Sequence, residues 1–237
     1  MKRNIITLLI TVFAMLQATA QTYDNLWKQA DIIAQKDQPK SEIGVMKKII
    51  SKATAAKDYG QLLAAEIRQA ILWREISPDS LTPNVKRMET EALKAKDPVL
   101  KAVRYAVLGK VYREVNGKKS EEFFKKALEQ PELLARNASA GYVPLTLKGV
   151  DGSSFKNDLL HLIGFEADSK EAYHLMYTYY NKVENRGAAC LCAYKLIEKY
   201  RQDDVREVRK SKYLNTIDSL IHVYQDIPEA GELAVEH

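Results

Sequence analysis

Few residues of this chain are of types that do chemistry, and their spacing gives them little to do. Cys190 and Cys192 stand two apart in a stretch with helical spacing. Side chains two apart on a helix project to opposed sides, so the pair does not readily bridge, and metal partners at suitable spacing are missing. Both read as small core residues. The four histidines are scattered. Glu171 and His174 supply one Glu-x-x-His, half of what a di-iron helical bundle needs, and the sequence has no second copy. His161 and His222 lie among apolar residues and read as packed or surface histidines rather than ligands. Ser139-Ala140-Gly141 ends like a nucleophile elbow, but Asn137 stands where its first glycine belongs and no strand precedes it. Gly117-Lys118-Lys119-Ser120 lacks the upstream glycine and the residue order of a phosphate loop. With no convergent nucleophile, acid or base, the expectation is a protein without catalytic residues, metal or cofactor.

Tyrosine is the richer type, with 13 in the chain. Tyr173, Tyr177, Tyr179 and Tyr180 cluster, and helical spacing accounts for Tyr173, Tyr177 and Tyr180 as core between helices. The same four form a candidate protein-contact surface, because tyrosine is favoured at interfaces. The basic run Arg206, Arg209, Lys210 and Lys212 reads as the solvated face of a helix rather than a nucleic-acid patch.

The elements that must position these residues are helices. Ala, Leu, Lys and Glu are abundant, and 10 Gly with 7 Pro are too few for a turn-rich β-fold. The organising stretch is Tyr105 to Pro131. Tyr105, Leu108, Gly109 and Tyr112 give aromatic-x₂-Leu-Gly-x₂-Tyr, and Ser120, Phe124, Ala127 and Pro131 give small-x₃-Phe-x₂-Ala with a terminating proline. This resembles a tetratricopeptide hairpin with a turn one residue short of the consensus. Gly109 and Ala127 let two antiparallel helices approach closely, and aromatics fill the gaps beside them. The fold class expected is all-α: stacked antiparallel helical hairpins, a tetratricopeptide-like α-solenoid, with one irregular insertion near 139–156.

At 237 residues the chain has room for one large domain or two small ones. Lys2 and Arg3, the apolar run Ile5 to Leu16 and Ala18-Thr19-Ala20 together read as a secretory signal peptide over 1–20. Removing those two basic residues leaves 34 against 31 acidic ones, a net +3, too small to imply a nucleic-acid partner. No later apolar run reaches spanning length, so no transmembrane segment is expected once the signal is removed. Export to a periplasm or cell envelope follows from this reading.

Along the mature chain, Tyr23 to Lys36 predicts a first helix, which Pro39 breaks. Ser41 and Glu42 open a second. Asp58 caps a third, with Leu62, Leu63, Ile67, Ala70 and Ile71 along one stripe. Pro83 to Lys96 is a fourth, and Asp97 caps the Tyr105 helix with Pro98 in its first turn. These belong to an N-terminal helical region, 21–138. The stretch 139–156 carries Pro144, Gly149 and Gly152 and reads as an exposed loop or a segment lying in a groove of the helices. A C-terminal helical region, 157–237, follows. Leu159, Leu160 and Ile163 make a short helix, and Ser169 caps the next. Ala188 to Tyr200 pairs with it after a turn at Asn185-Arg186-Gly187, and Asp204 to Gln225 is a long helix. Pro228 opens a last one, Glu229 to Val235, with no capping glycine after it, which reads as one region of a longer polypeptide or a shortened relative of one.

Several stretches resemble the N-terminal helical region of large exported bacterial alpha-2-macroglobulin-like proteins: Tyr23-Asp24-Asn25-Leu26-Trp27-Lys28, the run Asp158 to Phe165, Asn185 to Cys190, Arg209 to Tyr213, Asp218-Ser219-Leu220, and Asp226 to Glu232. The resemblance implies a leader that precedes β-sandwich macroglobulin domains in a protease-trapping protein. Some members carry a reactive thioester in a Cys-x-Glu-Gln motif. Cys190 is followed here by Leu191-Cys192-Ala193, so the covalent step is not implied. The expected function is a non-catalytic module whose partner is another protein or downstream macroglobulin domains of the same polypeptide. The alternative is a free-standing periplasmic tetratricopeptide-like adaptor that binds peptides.

Overall fold

The structure is a computed structural model that describes residues 23–77, 79, 81–113, 116–146, 149, 151–202 and 207–231, with the backbone alone at 81, 202 and 207–214. The expected signal peptide, Arg206, and the end of the last helix, 232–235, lie outside what is described, as do the side chains of Arg209, Lys210 and Lys212. Among the described residues the chain is all-α, built of antiparallel hairpins, with no strand. It divides into two compact units. One takes in the chain up to Arg87 together with Tyr142–Leu145. The other takes in Met88–Gly141 and the chain from Thr146 onward. The division between the units falls inside the helix that spans Arg87 and Met88.

The first unit holds α1 (23–34), α2 (Pro39–Ala56) and α3 (Tyr59–Ile76). Pro39 does not simply break the first helix: it occupies the first turn of α2, where its missing N–H has no intrahelical partner to lose. The α2–α3 connection is a two-residue one. Lys57 takes the left-handed conformation at φ 56°, and Asp58 then caps α3 by accepting the Gln61 N–H at 3.2 Å. Ile43, Met46, Ile49 and Ala53 of α2 pack with Leu62, Ala65 and Leu72 of α3, and Tyr23 and Ala30 of α1 close the cluster. The predicted α3 stripe holds for Leu62, Leu63 and Ala70, which are buried, but not for Ile71, which is 40% exposed. Gly60 is required where the 142–145 segment crosses α3: a Cβ there would collide with the Val143 carbonyl.

In chain order α4 (Leu81–Lys94) leads into the second unit, followed by α5 (Pro98–Arg113), α6 (Gly117–Ala127), α7 (Pro131–Ala135), a 3₁₀ turn at Ser139–Tyr142, α8 (Leu159–Ala167), α9 (Lys170–Lys182), α10 (Arg186–Gln202) and α11 (Glu207–Tyr224). Asp97 caps α5, accepting from Val99 and Leu100 N–H at 2.8 and 3.0 Å. Pro131 does not terminate the Tyr105 hairpin alone; it also starts the short α7. Both main hairpins, α5 with α6 and α9 with α10, pack along their length, and α8 lies against α5, α6, α7 and α9.

The stretch after α7 is an irregular connection whose ends are fastened together. Ala138 and Asp158 form an isolated antiparallel bridge, Ser139 N–H donates to Asn157 O at 2.9 Å, and Leu159 N–H donates to Asn137 O at 2.9 Å. Of the two readings made from sequence, the packed one fits the 151–158 part: Phe155 is fully buried, and its ring stacks on His161 of α8 with centroids 3.9 Å apart.

Candidate functional site

The hairpin residues picked from spacing meet where that spacing requires. Leu108 and Ala127 are buried. A Cβ on Gly109 would lie 2.7 Å from the Phe124 ring, so the glycine makes room for that aromatic. Ser120 has a sharper role than a small residue: its hydroxyl donates to the Gly109 carbonyl at 2.7 Å and ties α6 to α5. Tyr105 and Tyr112 are half-buried and both contact Phe123, Tyr112 stacking on it at 5.5 Å. Phe123 was not singled out from sequence, because the repeat pattern marks only Phe124.

Beside this hairpin, Glu89 of α4 accepts the Tyr112 hydroxyl at 2.6 Å and the Lys119 ammonium at 3.2 Å. Burial works to raise the Glu89 carboxyl, but the bonds from Tyr112 and Lys119 outweigh it and hold it below its ordinary value. Burial and the Glu89 bond raise Tyr112, while bonds to Tyr112 and Glu89 raise Lys119. Each group is thus fixed in the form it already has near neutrality: a carboxylate, a phenol and an ammonium. The trio is a tie between three helices, not a proton relay.

The tyrosine cluster splits. Ser169 caps α9 by accepting the Ala172 N–H, as its sequence implied. One face of α9 then carries Tyr173, Met176 and Tyr180 into the core. Tyr173 donates its hydroxyl to Asp168 at 2.8 Å, and Lys199 of α10 reaches the other Asp168 oxygen at 2.7 Å. Burial works against the Asp168 charge, yet the bonds from Lys199 and Tyr173 prevail and lower its pKa. Tyr173 itself is raised, by burial first and by Asp168 second. As a contact surface the cluster therefore loses Tyr173 and Tyr180, which are 3% and 2% exposed. Tyr177 and Tyr179 are half-buried and keep accessible surface, Tyr177 while hydrogen-bonded to the buried Tyr224 of α11.

Tyr180 leads to a group that was not singled out from sequence. Its hydroxyl lies 3.0 and 2.9 Å from the two Asp158 carboxylate oxygens. Asp158 is buried and also caps α8, accepting the His161 N–H at 2.8 Å. Burial pushes this carboxyl up to about 6, against the opposing pull of the His161 N–H, the Tyr180 hydroxyl and the Lys156 charge. Tyr180 is raised in turn, by burial and by the Asp158 charge. The available signal was an aspartate just ahead of an apolar helix, which is an N-cap pattern. Nothing local pointed to a tyrosine 22 positions later.

Cys190 and Cys192 are buried, as expected of core cysteines. Burial pushes the Cys190 thiol up to about 12 and raises Cys192 as well, so neither is a thiolate nucleophile at neutral pH. Ser139 is buried, its N–H and carbonyl both held inside its own connection. Glu171 and His174 are exposed, and among the described residues no three His, Cys, Asp or Glu come together as metal ligands.

Comparison with protein-family models, curated proteins and solved structures returns no match for this chain. Among the described residues no helix is long and apolar enough to cross a membrane.

Proposed function

We propose that the chain is a non-catalytic, exported helical module that makes protein–protein contacts, of the kind expected of the leader of an alpha-2-macroglobulin-like protein. One observation carries the reading: among the described residues, the clustered polar groups are spent on holding helices together. Asp158 caps α8 and receives Tyr180, Glu89 gathers Tyr112 and Lys119, and Asp168 gathers Tyr173 and Lys199. The directions of their pKa shifts leave most of these groups in their ordinary neutral-pH forms, and the one carboxyl lifted to about 6 is buried. A catalyst keeps at least one such group poised and accessible. Hairpins tied this way serve better as a rigid support for contacts.

The test is site-specific photo-crosslinking in the producing cell, with a photoreactive side chain at Tyr177 or Tyr179. One discrete adduct, identified by mass spectrometry as a defined protein or as a downstream region of the same polypeptide, supports the module. Absence of any adduct at both positions and at the exposed Tyr200 and Leu93 sinks it. A reading frame past His237 that encodes macroglobulin domains supports the leader form specifically.

A further inference from the structure

We infer that the cleft between α1 and α3 docks an extended segment of a partner protein that presents an apolar side chain beside a lysine or arginine. The inference rests on the contact-module reading and assigns that contact a surface and a chemistry. The cleft has two lobes that share Arg68 and Ile71. One lobe, about 340 Å³, is walled by Trp27, Ala64, Ile67 and Pro144. The Trp27 indole N–H is already given to Gln61 at 2.6 Å, so the ring offers an incoming segment only apolar surface. Ile71 leaves 40% of its surface in solvent, a substantial exposure for a large apolar residue.

The second lobe, about 240 Å³, is lined by Asp37, Glu42 and Glu75 around Arg68. Glu42 is buried and takes the Arg68 Nε–H at 2.7 Å. That pair satisfies Arg68 electrostatically and leaves two further acids, Asp37 and Glu75, in the lining. A cation placed there meets Asp37 and Glu75, while a carboxylate or phosphate meets like charge. Apolar and acidic surface thus adjoin across the shared Ile71 and Arg68. The complementary ligand is a peptide with an aliphatic or aromatic anchor next to a basic residue. An acidic segment or a nucleic acid does not fit this polarity.

The experiment displays a random library of roughly 12-residue peptides against the purified chain and measures the enriched peptides by fluorescence anisotropy. Enriched sequences should pair an apolar residue with Lys or Arg. Ile71→Arg should weaken their binding about tenfold or more. Asp37→Asn with Glu75→Gln should weaken it about threefold and flatten its salt dependence. All three positions are exposed, and Asn tolerates the left-handed φ of 53° at Asp37, so these variants should keep the parent's circular dichroism and melting. The proposal is overturned by no enrichment, by enriched peptides with no basic bias, or by unchanged affinity in Ile71→Arg. If the display fails while crosslinking still captures a partner, the cleft is wrong and the module stands. If both fail, both readings fall.

Discussion

Replacing Asp158 with Asn removes one buried charge while keeping a side chain that still caps α8. Burial raises the carboxyl from its ordinary 3.8 to about 6. At 1.36 kcal/mol per pH unit, that gap amounts to about 3 kcal/mol between the protonated and ionised forms. The sign follows from proton counting. Between pH ~4 and ~6 the folded chain binds the Asp158 proton more tightly than the unfolded chain does. This group's contribution to stability is therefore greatest below pH ~4, falls as pH rises through the window, and is lost above ~6. Asp168 and Glu89, held below their ordinary values, act in the opposite direction, so the parent's total profile mixes the two. The difference between Asp158→Asn and the parent cancels those shared terms. It should move in favour of the variant by about 3 kcal/mol from pH 4 to pH 7, whatever fixed loss the new amide causes at the Tyr180 hydroxyl. Urea denaturation followed by circular dichroism at half-unit pH steps reads this directly. A difference flat with pH to within about 0.5 kcal/mol refutes a buried, uncompensated carboxylate at this position.

Gly109→Leu forces a side chain into the Phe124 ring and should destabilise the α5–α6 hairpin by about 1–3 kcal/mol; urea midpoints check this, with Lys125→Leu, exposed on α6, as a neutral control. Phe155→Ala removes a fully buried ring stacked on His161 and should cost about 3–5 kcal/mol, seen as a lowered thermal midpoint and faster proteolysis between Gly149 and Asn157. Cys190 and Cys192, buried with raised thiol pKa values, should resist iodoacetamide at pH 8 and label fully in urea; rapid labelling of the native chain would contradict their placement.

What could be read from sequence was what depends on neighbours in sequence. Asp58, Asp97 and Ser169 were found as caps because a cap bonds an N–H two or three residues on. The all-α class and the α5–α6 hairpin followed from 3.6-residue spacing and from the small residues Gly109 and Ala127. Ile71 was misplaced for the complementary reason: its spacing fits the α3 stripe, but spacing fixes direction around a helix and not whether a neighbour covers that direction. Tyr173 and Tyr180 were offered as surface and as core alike, since helical periodicity does not separate a core face from a contact face. Their burial was decided by Asp168, Asp158 and Lys199, set by turns and by a second helix. The division within α4 was illegible because nothing in its amphipathic pattern marks the residue at which its packing partners change.

The buried acids differ in how they are neutralised, and that difference separates structure from response. Glu42 and Glu66 face the guanidinium groups of Arg68 and Arg87, at 2.7 and 3.6 Å. Each of these acids thus has a planar, multi-donor cation set against it. Asp158 has no such cation in hydrogen-bonding contact among the described residues; its donors are a neutral phenol and the backbone N–H groups of His161 and Leu160. A phenol stabilises a carboxylate less than a guanidinium does and, unlike it, also tolerates the protonated acid. Protonating Asp158 near pH 6 therefore need not release Tyr180, since the carboxyl keeps a carbonyl oxygen to accept that hydroxyl. What changes is the charge at the start of α8, where a carboxylate favours the helix dipole by about 0.3–1 kcal/mol. That gain is smaller than the penalty burial puts on the charge, so acidification should leave the 139–157 connection closed and should also tighten the first turn of α8. Hydrogen exchange at the Leu160 and His161 amides, corrected for the intrinsic pH dependence of exchange, slowing below pH 6 while the Ser139 amide stays protected, is the pattern this requires; loss of protection at all three together would mean that the Asp158 charge holds the whole connection shut.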